Sequence, residues 1–358
     1  MQLPAHGSNP SYLYEALGIE KPKQIIDFSV NTNPLGAPTE INQHWQNWIE
    51  AVYDYPDAYC TSLKKAIASN EGVDTSQLLI GNGAAELITL IARYLREKNI
   101  LIMQPAFSEY ETACLHEQCS IDHYITEAPD WQFNKEDIIA KLANKDAVFI
   151  CQPNNPTGVQ YDQEMMDWFI EYCQQSKILL IIDEAFYDFA VQPQTAVSKI
   201  RHAPYLLILR SLTKMYNIAG LRLGFLVGQP ELIGAIASYQ AHWSVNAIAL
   251  EAGELFLRDG THANQTRTYI DEQRIHLFSF FNQQGFSYSP SSVNFYLIKD
   301  PTRHLLQDLF IFLLKKGFVL RHTVNFPGLD GAWLRAAIKT EKENQQLMGA
   351  LHEWKQQT

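Results

Sequence analysis

The chain has 358 residues, 46% of them hydrophobic and 19% charged, enough for a large core and, by length, for two domains. Its net charge of -11 argues against non-specific binding to nucleic acid or to an acidic membrane surface, although a few local arginines can still make one cleft attract an anionic small molecule. The five cysteines are odd in number and form no CxxC pair, which argues against a zinc ribbon or a disulfide framework and leads us to expect a reducing cytoplasm and no metal. No signal-peptide pattern opens the chain, and no apolar run approaches membrane-spanning length.

Residues 1–40 are rich in Pro, Asn and Gly and are expected to form an arm against the cleft and a smaller domain. Apolar runs at Leu78–Ile80, Ile100–Met103, Ala147–Cys151, Ile178–Ile182 and Leu206–Leu209 predict strands. Amphipathic stretches at Ala84–Leu95, Glu164–Gln175 and Pro230–Tyr239 predict helices between and after them. This alternation implies an α/β domain over 41–245, with a mostly parallel sheet flanked by helices. The strands are apolar throughout, as expected where both faces are covered. Residues 246–358 read as a smaller α+β domain. It holds a long helical stretch from Ala247 to Phe281, strands at Val293–Leu297, Gly317–Leu320 and Trp333–Ile338, a helix at Leu305–Lys315 and a last helix from Glu341 to Trp354.

Several polar groups follow those strands, where open parallel sheets bind ligands. Lys214 follows the run ending at Leu209, with Ser211 before it and Arg222 after it, an amine suited to covalent work beside an anion site. Asp183 closes the run Ile178–Ile182, where an ionised carboxylate needs a partner; Asp-Glu-Ala-Phe also suits a helix N-cap. Asn155 lies in Asn-Asn-Pro-Thr-Gly after another strand, a segment that also reads as a plain turn. Gly81-Asn-Gly83-Ala84-Ala85 reads as a glycine turn opening a helix, whose backbone amides favour a phosphate. Phe107 follows the Ile100–Met103 strand and could stack on a ring or sit in the core.

The joint order of the glycine turn, Asn155, Asp183, Ser211, Lys214 and Arg222 resembles the fold-type I pyridoxal-phosphate enzymes along nearly the whole chain. The resemblance implies pyridoxal 5'-phosphate as cofactor, with Lys214 as its Schiff-base lysine and Asp183 against the pyridine nitrogen. It further implies Asn155 at the phenolic oxygen, Phe107 on the ring face, and Gly83, Ala84, Ala85, Ser211 and Arg222 at the phosphate. A homodimer is implied too, in which Tyr55 matches the tyrosine that reaches the partner's cofactor phosphate. Within this superfamily the chain resembles the histidinol-phosphate aminotransferases in general. More specifically, it is similar to the L-threonine-O-3-phosphate decarboxylase family of cobalamin biosynthesis. The specific match rests on Ala5-His6-Gly7-Ser8-Asn9, on Asp27 to Gly36 with Asn31, on Trp243 to Ala247, on Asn325 to Leu329, and on Phe186 where many aminotransferases have tyrosine.

Two departures are Ser8, where that family has a second glycine, and Lys339, where relatives often have arginine. The resemblance implies Arg335 as the substrate-anion arginine, with His6, Asn31 and Arg321 near the substrate phosphate or carboxylate. The expected reaction is decarboxylation of a small phosphorylated amino acid, with transamination as the alternative. A non-catalytic pyridoxal-phosphate-binding regulator is disfavoured by the absence of a basic helix-turn-helix segment and by the charge.

Overall fold

The computed structural model describes residues 3–4, 7, 9–258, 260–302 and 306–357. Seven strands form the central sheet: β1 (Leu78–Gly81), β2 (Asn99–Gln104), β3 (Ser120–Ile125), β4 (Ala147–Cys151), β5 (Leu179–Asp183), β6 (Leu206–Ser211) and β7 (Gly224–Gly228). Their order is β1-β7-β6-β5-β4-β2-β3. All neighbours are parallel except β7, which runs antiparallel to both β1 and β6.

Every residue of β1, β4, β5, β6 and β7 is buried. Each fully buried Leu or Ile there contributes roughly 1.5–3 kcal/mol. The side chains alternate between two apolar layers, Leu180 and Ile182 packing into one and Leu179 and Ile181 into the other. The exception is β3, an edge strand with mixed exposure and polar residues. The apolar-run criterion does not predict it for that reason, and it does not predict the short, glycine-bounded β7.

Helix α1 (Gly83–Tyr94) follows β1, and α2 (Gln163–Ser176) joins β4 to β5; both agree with the predicted positions to within one residue. The predicted stretch from Ala247 to Phe281 is two helices, α3 (Ala247–Phe256) and α4 (Thr261–Gln284). Gly260 is the cap of the second, and a helix interior there would meet the glycine penalty.

A second, four-stranded antiparallel sheet contains β8 (Ser287–Tyr288), β9 (Phe295–Lys299), β10 (Arg321–His322) and β11 (Leu334–Ala337), in the order β10-β11-β9-β8. The N-terminal segment is less irregular than its composition predicts. It carries a helix at Pro10–Leu17, and Ile26–Asp27 pairs in parallel with Phe318–Val319. It is also tied to the lysine turn: the Asn33 amide N–H donates to Lys214 O at 3.2 Å, and its side-chain Nδ2 donates to Met215 O at 2.8 Å. No described helix is long and apolar enough to cross a membrane.

Candidate active site

The carboxyl ends of β4, β5 and β6 open into one cavity of about 210 Å3. Asp183, the last residue of β5, sits beside Cys151 in the sheet register. It is buried, Oδ1 accepting from the Ala185 amide at 2.8 Å and Oδ2 from the Tyr110 hydroxyl at 2.5 Å. Burial pushes its carboxyl above the ordinary range, opposed by Tyr110, Ala185 and the Lys214 charge. No described lysine or arginine pairs with it directly, so its ionised form calls for a cation arriving in the cavity.

Lys214 stands on a single short turn, Leu212–Met215, immediately after β6. Burial lowers its pKa, and the nearby Arg222 and Arg335 charges lower it further, while Asp183 opposes them. The result favours an uncharged, nucleophilic amine.

At one end of the cavity Ala84 and Ala85 lie in the first turn of α1, beside Ser211, Thr213 and Arg222. Ser211 Oγ and Thr213 Oγ1 are 2.8 Å apart. Gly83 has φ +76°, and a Cβ there would lie 2.7 Å from Arg222 Nη2. A Cβ on Gly224 would meet Arg210 O at 2.7 Å and the Ala84 amide nitrogen at 3.1 Å. Both glycines therefore let α1 and Arg222 approach closely, concentrating amides, hydroxyls and one guanidinium where an anion fits.

Asn155 has a fixed orientation. Arg335 Nη1 donates to its Oδ1 at 2.7 Å, and because arginine only donates, the atom facing it must be the oxygen. The amide Nδ2 of Asn155 is left for the cavity. Arg335 Nη2 donates to Ser29 O at 2.7 Å, while its Nε is buried without a partner. Arg321 lies directly opposite Arg335 in the β10–β11 register, and both line the cavity. Burial lowers Arg335 to about 9, with Arg321 adding to the effect, and lowers Arg321 to about 10. Arg321 Nη2 also donates to Asn325 Oδ1 at 2.6 Å, and two cationic side chains on neighbouring strands make this side of the cavity attractive to an anion. Asn31 also lines the cavity, with its Oδ1 buried and unpartnered.

The cavity thus gathers Ala84, Ala85, Phe107, Asn155, Asp183, Ser211, Lys214, Arg222, Asn31, Arg321 and Arg335, with Phe186 in its wall. Gly83 borders it through Arg222. His6 lies outside the described residues. Tyr55 is not brought in: it is 84% exposed and packs against Trp243, ring centroids 5.1 Å apart. Sequence reasoning missed Tyr110, Thr213 and Phe326, all of which line the cavity. Thr213 was legible as a second hydroxyl beside the lysine, and Phe326 lies in the Asn325–Leu329 segment that carries the family resemblance, although it was assigned no role; nothing local in the sequence marks Tyr110.

A buried carboxylate awaiting a cation, a lysine whose pKa burial and neighbouring charges lower, an oriented amide and an anion cup fit pyridoxal phosphate, the cofactor that the resemblance to the fold-type I enzymes implies. The chain is a pyridoxal-phosphate-dependent enzyme of that class. It belongs to the aminotransferase class I and II family, whose model matches residues 23–351. It is 34% identical to the threonine-phosphate decarboxylase of Salmonella typhimurium, over 97% of this chain and 95% of that one. It is 31% identical to an adenosylcobalamin biosynthesis bifunctional protein of Leptospira interrogans, over 98% of this chain but 41% of that longer one. Among solved structures, the histidinol-phosphate aminotransferase of Clostridium acetobutylicum superposes with a TM-score of 0.88 at 30% identity, covering 93% of this chain and all of that one.

Proposed function

We propose that the protein decarboxylates L-threonine O-3-phosphate to (R)-1-amino-2-propanol O-2-phosphate and CO2, within cobalamin biosynthesis. The observation that carries the reading is the pair of buried arginines, Arg321 and Arg335, facing one another at a cavity that also holds Lys214. A substrate with both a phosphate and a carboxylate offers an anion to that pair whichever group it presents. The similarity to the Salmonella decarboxylase across nearly both chains supports the same reading.

When bound, pyridoxal phosphate supplies an aldehyde that takes the substrate amine and a ring that accepts the electrons released at the α-carbon. Asp183 would hold the cationic ring nitrogen, Asn155 Nδ2 would donate to the phenolic oxygen, and Phe107 would cover a ring face. Ala84, Ala85, Gly83, Ser211 and Arg222 would hold the phosphate, joined by Tyr55 of a second subunit. Arg321, Arg335 and Asn31, with His6, would hold the substrate's anionic groups and so set which bond at the α-carbon is presented for cleavage. Lys214 Nζ would then deliver the proton that replaces CO2. Phe186 packs edge-on to Phe295, 4.8 Å between centroids, and brings no hydroxyl to the cavity wall, in contrast to aminotransferases with tyrosine there. Without that hydroxyl, Asn155 Nδ2 would be the donor assigned to the phenolic oxygen.

The likeness to the Clostridium structure supports a second reading, transfer of an amino group from histidinol phosphate. Purified protein with pyridoxal phosphate and phosphothreonine is expected to release CO2 and aminopropanol phosphate. Release of neither, together with amino transfer from histidinol phosphate to 2-oxoglutarate, decides for the aminotransferase. Turnover of any kind rules out a purely regulatory protein.

A further inference from the structure

Tyr110 lies in the first turns of the helix Glu109–His116, not at the end of a sheet strand. It is nevertheless buried against the site. Its ring stacks on Phe149 of β4, with centroids 5.3 Å apart, and meets Phe107 edge-on at 5.9 Å. Its hydroxyl ends 2.5 Å from Asp183 Oδ2. That length lies at the short limit for a hydroxyl donating to a carboxylate, and such charge-assisted bonds are about twice as strong as neutral ones.

The geometry points to Tyr110 as a positioning residue that keeps Asp183 ionised and fixes the direction of its open lone pairs, an inference that rests on the reading of the cavity as a pyridoxal-phosphate site. With the Ala185 amide on Oδ1 and the Tyr110 hydroxyl on Oδ2, the carboxyl group cannot rotate without losing a bond. The lone pairs that remain are directed by those two donors, so the carboxylate is preset for a cationic ring nitrogen before any ligand arrives. The titratable and charged groups around Asp183 are Tyr110, Cys151, Lys214 and Glu184. Cys151 donates its thiol to Pro153 O at 3.2 Å, and Glu184 is engaged by Arg210 at 2.8 Å. Lys214 is committed to covalent work. Tyr110 is therefore the side chain able to hold the Asp183 charge throughout a reaction cycle. The same ring presses edge-on against Phe107, so one residue orders both the nitrogen side and the face of the ring site.

The test is Tyr110→Phe, which keeps the ring and removes one oxygen. Loss of a hydrogen bond to a charged group is expected to weaken pyridoxal-phosphate binding about tenfold, measured by dialysis and visible absorption. kcat should fall while the KM for phosphothreonine changes little. The acid limb of the kcat profile should move up by about one pH unit, because without its donor the carboxyl protonates more readily. In an Asp183→Asn background the same change should cost no further cofactor affinity. Unchanged affinity with an unchanged acid limb overturns the inference, as does an equal loss in the Asp183→Asn background. If Tyr110→Phe does not fold, a fluorinated tyrosine at position 110 replaces it. Its more acidic phenol should move the acid limb down, and an unmoved limb counts against the inference. Failure of the wild-type protein to bind pyridoxal phosphate sinks the site reading itself, an outcome distinct from a silent Tyr110→Phe.

Discussion

Lys214 is a residue whose chemistry is set by its neighbours more than by its own side chain. Burial is the first cause of its lowered pKa, and the Arg222 and Arg335 charges come next. In cofactor-free protein we therefore expect Lys214 to be acylated by amine reagents at a pH where ordinary lysines stay protonated and inert. Arg222→Gln removes one of the depressing charges, so the pH profile of labelling at Lys214, followed by mass spectrometry, should move upward. A profile that stays in place would mean that Arg222 contributes nothing, leaving burial and Arg335 to set the amine. Those residues that follow a long apolar run, such as Asp183 and Lys214, were legible in the sequence, because a polar group at the end of a buried strand is costly without a purpose. Tyr110 was not legible: it reaches Asp183 across 73 positions of sequence, and no local pattern encodes that contact.

At the scale of elements, the pairing of β10 with β11 has the most direct functional consequence. Two short strands in antiparallel register set Arg321 and Arg335 opposite one another, an arrangement that like charges resist. The substitution Arg335→Met should leave the melting temperature of the ligand-free protein unchanged or higher, since a buried charge is replaced by apolar volume. The wild type should gain about 2.7 kcal/mol when phosphothreonine is present at a hundred times its Kd. That gain should vanish in the variant, as read by thermal unfolding with and without ligand. A fall in ligand-free stability of several kcal/mol would instead mean that the Asn155 and Ser29 hydrogen bonds outweigh the repulsion. Apolar strands and strongly periodic helices were readable in advance. The edge strand β3 was hidden by its polar residues, whereas the break between α3 and α4 was marked by the polar run Arg258-Asp259-Gly260-Thr261 inside a stretch read as one helix. The register that pairs the arginines was not readable either, because it depends on which strands meet.

At the scale of the whole molecule, several large apolar residues stay exposed in the single chain, among them Tyr55 packed against Trp243. Tyr53, Tyr55 and Tyr59 are 82%, 84% and 75% exposed, and Ile49, Val52 and Trp243 are about half exposed or more. Exposed apolar groups in such number mark an association surface, and we propose that a second copy of the chain covers it. Sedimentation should find a dimer, and Tyr55→Phe, which spares the ring but removes the hydroxyl, should loosen pyridoxal phosphate while leaving the dimer intact. A tightly loaded monomer would refute this assignment. If the tyrosine that completes each cofactor site is lent by the neighbouring chain, then occupancy obeys mass action twice, once for the small molecule and once for the protein. Dilution alone would then empty the enzyme, and a stock that is bright yellow when concentrated would fade and fall silent in a dilute assay until more chains or more cofactor were supplied.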